Sequence, residues 1–184
     1  MKSKEVLNEM ITVFSKYHDA NQALIKSWYE IIFLTPRWWG GLVLGIIPWY
    51  VWWKFHNKNQ TGDLLRGGLL MAVWALVLDS IGLQLGLWIY PYDVFPFIPG
   101  YIPWDLTILP VTTMLLIEIR PNWSPIKKAF IYAGLSALVG ETLADFFQLY
   151  YPLKWHSFFS MPIYFLLYFL CDRFARSKTF TSKR

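Results

Sequence analysis

The chain has 184 residues, of which 55% are hydrophobic, 20% aromatic and only 16% charged. Soluble domains carry about 25% charged residues, so this composition argues against a soluble fold. The net charge of +5 does not indicate nucleic-acid binding, because the basic residues lie at the termini and in short connections, where anionic lipid headgroups would meet them. The single cysteine, Cys171, allows no internal disulfide, and no cofactor motif is evident.

Residues 1–36 are predicted to form an amphipathic helix at the membrane interface. Apolar residues recur there at helical spacing on one face: Val6, Met10, Val13, Tyr17 and Leu24. The N-terminus MKSKEVLNEM has acidic and amide residues where a signal peptide would have its apolar region. We therefore expect no cleaved signal, and insertion would depend on the internal apolar runs.

Residues 37–172 are predicted to form an all-α membrane bundle of about five transmembrane helices. A span needs about 20 apolar residues to cross a hydrocarbon core of about 30 Å. The predicted spans are residues 39–53, 67–90, 103–119, 129–151 and 155–171. The first is short and contains Pro48, so we expect a bent or tilted helix. Residues 173–184 form a basic tail.

The segment between the second and third predicted spans, YPYDVFPFIPGYIP at 90–103, combines prolines and a glycine with aromatic residues. Prolines prevent a regular helix here, while the aromatic residues keep the segment apolar. We expect it to lie on the membrane surface or to dip into it.

Lysine and arginine residues predict the orientation. The connections after the first and third spans and the tail are basic, whereas the two loops on the other side hold only Lys154. This asymmetry places the C-terminus in the cytoplasm and the segment 90–103 outside, and the membrane is expected to be the plasma membrane. The N-terminal segment, which also carries several lysines, would then lie outside. If the first span is re-entrant instead, the orientation changes.

Carboxylates inside apolar runs are the main functional signal, because an ionised group at bilayer depth costs several kcal/mol. In the fourth span, Glu141, Asp145 and Gln148 share one helical face. Asp79 is the deepest acid of the second span. We predict that these four residues form a buried polar site for a proton or a cation. Alternatively, Asp145 is hydrated at the surface, and Glu141 and Asp79 make hydrogen bonds between helices.

Three residues are predicted to lie at the outer mouth of this site: Asp93, Asp105 and His156. Asp105 follows Pro103, where a carboxylate can cap the start of a helix, and capping is the favoured interpretation. His156, near several acids, could serve as a metal ligand or a general base. However, neither HExxH nor GxSxG occurs, and we predict no metal site.

Two pairs of glycines are predicted to let helices pack closely. Gly41 and Gly45 lie four residues apart in the first span, and Gly82 and Gly86 do so in the second. Small residues at this spacing allow another backbone to approach.

Three stretches resemble an uncharacterised family of small multi-span membrane proteins of spore-forming bacteria. They are WDLTILPVTTMLLIEIRP at 104–121, Glu141 in the following span, and YYPLKWHSFFSMPIY at 150–164. The family's histidine shortly before the acid of the WDL motif is absent here, so no role of that histidine is carried over. The resemblance implies a multi-span topology and a bacterial origin, and supplies no activity.

Three functions remain open. The first, which we favour narrowly, is proton- or cation-coupled transport or permeation through the buried acidic site. The second is an accessory or scaffolding subunit that binds another membrane protein or a second copy of itself. The third is an intramembrane enzyme that acts on a lipid or isoprenoid through the acids and His156. The lipid bilayer is the expected partner in every case, and nucleic acid is not expected.

Overall fold

The N-terminal part of the chain consists of two helices that meet at a sharp bend in a computed structural model, which describes residues 2–177. Helix α1 covers Lys2–Ser27 and continues through the π-helical turn Trp28–Ile32. Helix α2 covers Pro36–Phe55, and the segments Ser3–Ile32 and Pro36–Phe55 meet at 101°. Nearly all side chains of α1 are exposed, so α1 projects sideways from the rest of the molecule.

The remaining helices follow in chain order. A short 3-10 turn, Lys58–Gln60, leads into α3, Thr61–Gln84. The π-helical turn Trp104–Ile108 leads into α4, Leu109–Glu118. One continuous helix contains α5, Pro125–Gly134, then the π-helical segment Leu135–Gly140, then α6, Glu141–Phe146. Helix α7 covers Ser157–Ala175.

Two short strands connect the loops at one end of the bundle. Strand β1, Trp88–Ile89, pairs antiparallel with β2, Tyr151–Pro152. The pair joins the connection between α3 and α4, residues 85–103, to the connection between α6 and α7. We call this side of the molecule the loop end, and residues 85–103 the cap loop.

Residues 2–177 are therefore mostly helical, and three helices within them are long and apolar enough to cross a membrane: Lys58–Gln84, Pro125–Phe146 and Ser157–Ala175. The bent pair Ser3–Ile32 and Pro36–Phe55 would add a fourth if it were one span. The prediction of a helical membrane protein agrees with this at the coarse level.

The helix boundaries differ from the predicted ones at both ends of α3. This helix begins six residues before the apolar run at 67–90, because polar residues continue the helix beyond the apolar stretch. It ends at Gln84, because Gly86 adopts a φ of +64° and the chain then turns into β1. Of the predicted tail, residues 178–184 lie outside the described part of the chain.

The core lies between α3, α4, α5 and α7. Its most buried members are Met71, Met114, Tyr132 and Tyr168. Helices α3 and α7 approach closely at Gly67, where an added Cβ would lie 3.2 Å from the carbonyl oxygen of Cys171. Cys171 is itself buried.

Buried charges lie at the end of the bundle opposite the loop end. Asp172 and Lys128 both have no exposed surface. Arg176 Nε donates to both carboxylate oxygens of Asp172 at 3.1 and 3.0 Å, and Lys128 Nζ donates to the carbonyl oxygen of Ile117 at 3.0 Å. Arg176 also donates to the Ile117 carbonyl oxygen, through Nη2 at 3.3 Å, so these contacts connect α7, α5 and the end of α4.

Candidate functional site

A cavity of about 80 Å³ lies at the loop end of the bundle. Three buried carboxylates line it: Asp79 at 6% exposure, Asp105 at 2% and Glu141 at 7%. They come from α3, from the π-helical turn before α4, and from the start of α6. Aromatic side chains form much of the remaining wall: Trp88, Tyr90, Tyr101, Trp104, Tyr150, Trp155 and Tyr164.

Asp79 attaches the cap loop to α3. Its Oδ1 accepts hydrogen bonds from Trp88 Nε1 at 2.7 Å and from the Tyr90 hydroxyl at 2.6 Å, and its Oδ2 accepts from the backbone N–H of Tyr101 at 3.0 Å. All three donors belong to the cap loop. Both oxygens of this buried carboxylate are therefore hydrogen-bonded, as burial requires.

Asp105 lies inside the cavity with Asp79, whereas the sequence suggested a separate position at an outer mouth. It makes no capping hydrogen bond, because the chain around it is already helical from Pro103 onward. Its Oδ2 is buried and has no hydrogen-bond partner among the described residues.

Gly100 of the cap loop lies against the carboxylates of both Asp79 and Asp105. A Cβ on Gly100 would lie 2.8 Å from Asp105 Oδ2 and 3.2 Å from Asp79 Oδ2. Its φ of +137° also belongs to the region that side-chain-bearing residues rarely adopt. Glycine is thus favoured here both by the backbone conformation and by the space that the carboxylates need.

Glu141 faces the cavity from the other side of the bundle. Its Oε2 is buried and lacks a hydrogen-bond partner within residues 2–177. Two hydroxyl groups of α7 line the same cavity and accept hydrogen bonds from tryptophans: Trp155 Nε1 donates to Ser160 Oγ at 2.9 Å, and Trp104 Nε1 donates to Tyr164 Oη at 3.2 Å.

Both carboxylates with unpaired oxygens lie at π-helical segments. Asp105 is within Trp104–Ile108, and Glu141 directly follows Leu135–Gly140. The two segments touch, because a Cβ on Gly140 would overlap the Trp104 ring. Widened turns of this kind are rare in helices and occur frequently at functional sites.

Asp145 and Gln148 do not join the site. Both are exposed, and α6 ends at Phe146. The predicted shared face required a helix that continued to residue 151, but Gln148 has a φ of +61° and lies beyond the helix end. Asp145 is exposed on the last turn of α6.

Two of the predicted packing glycines, Gly82 and Gly41, contact the cap loop, whereas Gly45 packs against the start of the helix that contains α4, where its carbonyl oxygen accepts a hydrogen bond from Thr107 Oγ1 at 2.8 Å. A Cβ on Gly82 would overlap the Trp88 ring, and one on Gly41 would lie 2.5 Å from Val94 Cγ2. A Cβ on Gly45 would lie 3.9 Å from Pro103 Cγ. Gly86 lies past the end of α3, and a Cβ there would meet no described atom within 4 Å, so this glycine ends the helix and does not serve packing.

The other two predicted mouth residues lie outside the cavity. His156 caps α7, because its Nδ1 accepts a hydrogen bond from the backbone N–H of Phe158 at 3.1 Å. Asp93 is a half-buried residue of the cap loop, and burial raises the pKa of its carboxyl group to about 7. Its Oδ1 accepts from the backbone N–H of Phe95, which opposes that effect.

No group of three or more histidine, cysteine, aspartate or glutamate side chains in residues 2–177 is arranged to hold a metal ion. Comparisons with protein-family models, curated proteins and solved structures found no match to this chain. The resemblance carried by residues 104–121 and 150–164 therefore stays a prediction.

Sequence reasoning did not identify Gly100 or the tryptophans and tyrosines of the cavity wall. A glycine between prolines in a loop is a usable signal for an unusual φ. The aromatic residues gave no such signal, because aromatic residues are 20% of this chain and occur in every predicted span.

Proposed function

We propose that the chain is a membrane carrier for protons or another cation, and that Asp79, Asp105 and Glu141 form its binding site. The observation that supports this proposal is the pair of buried, unpaired oxygens, Asp105 Oδ2 and Glu141 Oε2, on one cavity. No lysine, arginine or histidine of the described residues lines that cavity. A buried carboxylate oxygen that has neither a cationic side chain nor a hydrogen-bond donor beside it favours a proton or a bound cation.

A carrier fits the packing better than an open pore. Leu109 and Leu167 line the cavity and also belong to the core, which continues through Met71, Met114 and Tyr168 toward the opposite end. This packed layer separates the cavity from the other side of the bundle. Transport would therefore require a change of conformation, and the two π-helical segments beside Asp105 and Glu141 are the places where a helix can shift its hydrogen-bond register.

The test is ion flux in proteoliposomes that contain the purified full chain. Asp105→Asn and Glu141→Gln should each lower the flux about tenfold or more, because a hydrogen bond to a charged group contributes about 1.5–3 kcal/mol. Both variants should still insert and elute as the unaltered chain does. Asp145→Asn is the matched control, because it removes an exposed acid from the helix that carries Glu141, and it should leave the flux unchanged. Undiminished flux in both site variants would contradict the proposal.

For the topology, we propose five spans in a bacterial plasma membrane, formed by α2, α3, the helix from Trp104 to Glu118, the helix from Pro125 to Phe146, and α7. The C-terminus would be cytoplasmic. The positions of Lys128 and Arg176 at the end opposite the cavity support this orientation through the positive-inside rule. Topology reporters fused at residue 184 and inserted in the cap loop should report opposite sides, and reporters on the same side would exclude five spans in this arrangement.

A scaffolding role is the second candidate, and the exposure of α1 favours it. Phe14, Leu7 and Ile11 are more than half exposed on this helix. A scaffold would use this face to hold a second copy or another membrane protein. Mass measurement of the purified full chain and of a variant that lacks residues 2–26 distinguishes the roles: an oligomer that dissociates only in the truncated variant supports scaffolding.

A further inference from the structure

We infer that the ligand of the cavity is a small primary ammonium ion, held by Asp105 and Glu141 beside the aromatic rings that line the cavity. This inference rests on the proposed cation site and names its substrate class. It follows from three properties of the cavity: the positions of the free acceptors, the state of the indole N–H groups, and the volume.

The free acceptors lie on separate walls. Asp105 is on the segment that leads into α4, and Glu141 is on the helix that contains α5 and α6. Each has a buried carboxylate oxygen without a hydrogen-bond partner in residues 2–177. One ammonium group carries three N–H donors, so it can donate to both carboxylates and still have a donor for a hydroxyl group.

The tryptophans of the wall offer their ring faces and not their N–H groups. Trp88 Nε1 donates to Asp79, Trp104 Nε1 to Tyr164, and Trp155 Nε1 to Ser160. The hydroxyl group of Tyr90 likewise donates to Asp79. Tyr101 also lines the cavity, and its buried hydroxyl group has no hydrogen-bond partner within residues 2–177. Aromatic rings attract a cation through their π systems and also accept an alkyl group.

The volume limits the ligand to a few heavy atoms. The cavity of about 80 Å³ is roughly half as large as an engineered cavity of about 150 Å³ that binds benzene, so it suits a ligand of only a few heavy atoms. Methylammonium and ethylammonium have this size. Tetraethylammonium does not, and it also lacks N–H donors.

The experiment measures binding to the purified full chain in mild detergent, by tryptophan fluorescence and by calorimetry. The probe is methylammonium chloride, and sodium chloride and tetraethylammonium chloride at the same ionic strength are the comparisons. A saturable response to methylammonium, with an affinity for either comparison ion at least about tenfold weaker, is expected. An equal response to sodium, or no response to methylammonium, would overturn the inference, and this selectivity is measured on the unaltered chain.

Variants then locate the binding site. Asp105→Asn and Glu141→Gln should each weaken methylammonium binding about tenfold, the usual effect of losing one charged hydrogen bond. Asp145→Asn should bind as the unaltered chain does. Unweakened binding in both site variants, with their helical circular dichroism intact, would place the ion elsewhere and overturn the inference.

The binding experiment and the flux experiment test different proposals, so one can give a negative result without the other. Methylammonium binding in detergent without any cation flux in liposomes would contradict the proposed carrier and support the ammonium site. Proton flux that depends on Glu141, without methylammonium binding, would support the carrier and overturn the ammonium site.

Discussion

Asp79 has its two carboxylate oxygens occupied by three donors of the cap loop, and this arrangement determines what a substitution does. In Asp79→Asn, the amide oxygen can still accept from Trp88 and Tyr90, but the amide NH₂ group faces the backbone N–H of Tyr101. Two donors then meet in a buried place. We expect a loss of about 1–3 kcal/mol in the free energy of unfolding.

The measurement is thermal unfolding in detergent, followed by tryptophan fluorescence. Asp145→Asn provides the comparison, since Asp145 is exposed, and it should leave the unfolding midpoint unchanged. Equal midpoints for Asp79→Asn and the unaltered chain would show that the cap loop does not depend on this carboxylate.

Gly100 and Gly86 both have positive φ but differ in conformation and surroundings, because Gly86 has the left-handed helical value of +64° and Gly100 the value of +137°, which is essentially restricted to glycine. Gly86→Ala should cost only the conformational strain, roughly 1–2 kcal/mol. Gly100→Ala should cost more, because its Cβ would also press on Asp105 Oδ2 at 2.8 Å. Unfolding midpoints of the two variants test this order. Equal losses would contradict this order and would mean that both the backbone at Gly100 and the carboxylates adjust to a side chain.

At the residue scale, the sequence predicts an environment only from residues that are near in the chain. Asp79 and Glu141 were predicted as buried acids, because an acid inside an apolar run must face protein. Asp105 was assigned to a helix cap, because only its near neighbours in the chain could be considered. Its actual environment comes from Gly100 and from Asp79 on another helix, and no local pattern encodes that contact.

The cap loop is the element with a predicted response to pH. Burial raises the pKa of Asp93 from 3.8 to about 7, backbone N–H groups of Phe95 and Val94 oppose this, and the charge of Asp79 adds to it. The ordered loop therefore holds a proton that the opened loop releases between about pH 4 and 7. It follows that the ordered loop is most stable below this range, loses stability as the pH rises through it, and changes little above it.

Hydrogen exchange of the cap loop, corrected for intrinsic rates, measures this effect. Peptides that cover residues 90–101 should be better protected at pH 5 than at pH 8. The first turn of α2 should show the same dependence of protection on pH, because Trp38 Nε1 donates to the carbonyl oxygen of Val94 in the cap loop at 3.1 Å. Asp93→Asn should remove the difference between the two pH values, and a difference that persists in this variant would assign it to another group.

At the scale of whole helices, the apolar runs predicted the approximate positions of the helices better than the residues at which they end. The i, i+4, i+7 pattern grouped Glu141 with Asp145 and Gln148 on the assumption of an unbroken α-helix. The π-helical segment before Glu141 and the end of α6 at Phe146 invalidate that assumption. The π-helical segment also contacts the Trp104 ring at Gly140, and this contact joins parts of the chain that are distant in sequence, so no local pattern reveals it.

The charged cluster opposite the loop end connects three helices and therefore affects the whole molecule. Asp172→Asn would leave Arg176 without its carboxylate partner. Loss of one partner of a buried pair costs about 3–5 kcal/mol, but the Arg176 side chain is 40% exposed, so we expect about 1–3 kcal/mol. Asp63→Asn, which removes the more exposed pair with Arg66, should cost less than about 1 kcal/mol in the same unfolding measurement.

Composition alone predicted the class of the molecule, because a chain with 16% charged residues cannot cover a soluble surface in the usual way. The arrangement of its helices was not predictable in the same manner. Lys128 was assigned to a polar connection, although it lies within α5 and is fully buried. Its ammonium group donates to the carbonyl oxygen of Ile117 on α4, and this contact between two helices is not encoded in any local pattern.

The burial of Cys171 makes it possible to label the cap loop at one chosen position and to measure its movement. Because it is the chain's single cysteine and is buried, thiol-specific labels should leave the native protein almost unmarked. A cysteine introduced at Phe97, which is 66% exposed on the cap loop, would then carry a spin label or fluorophore at one defined place. Such a label would report directly whether the loop opens when a cation enters, without any need to remove a native thiol.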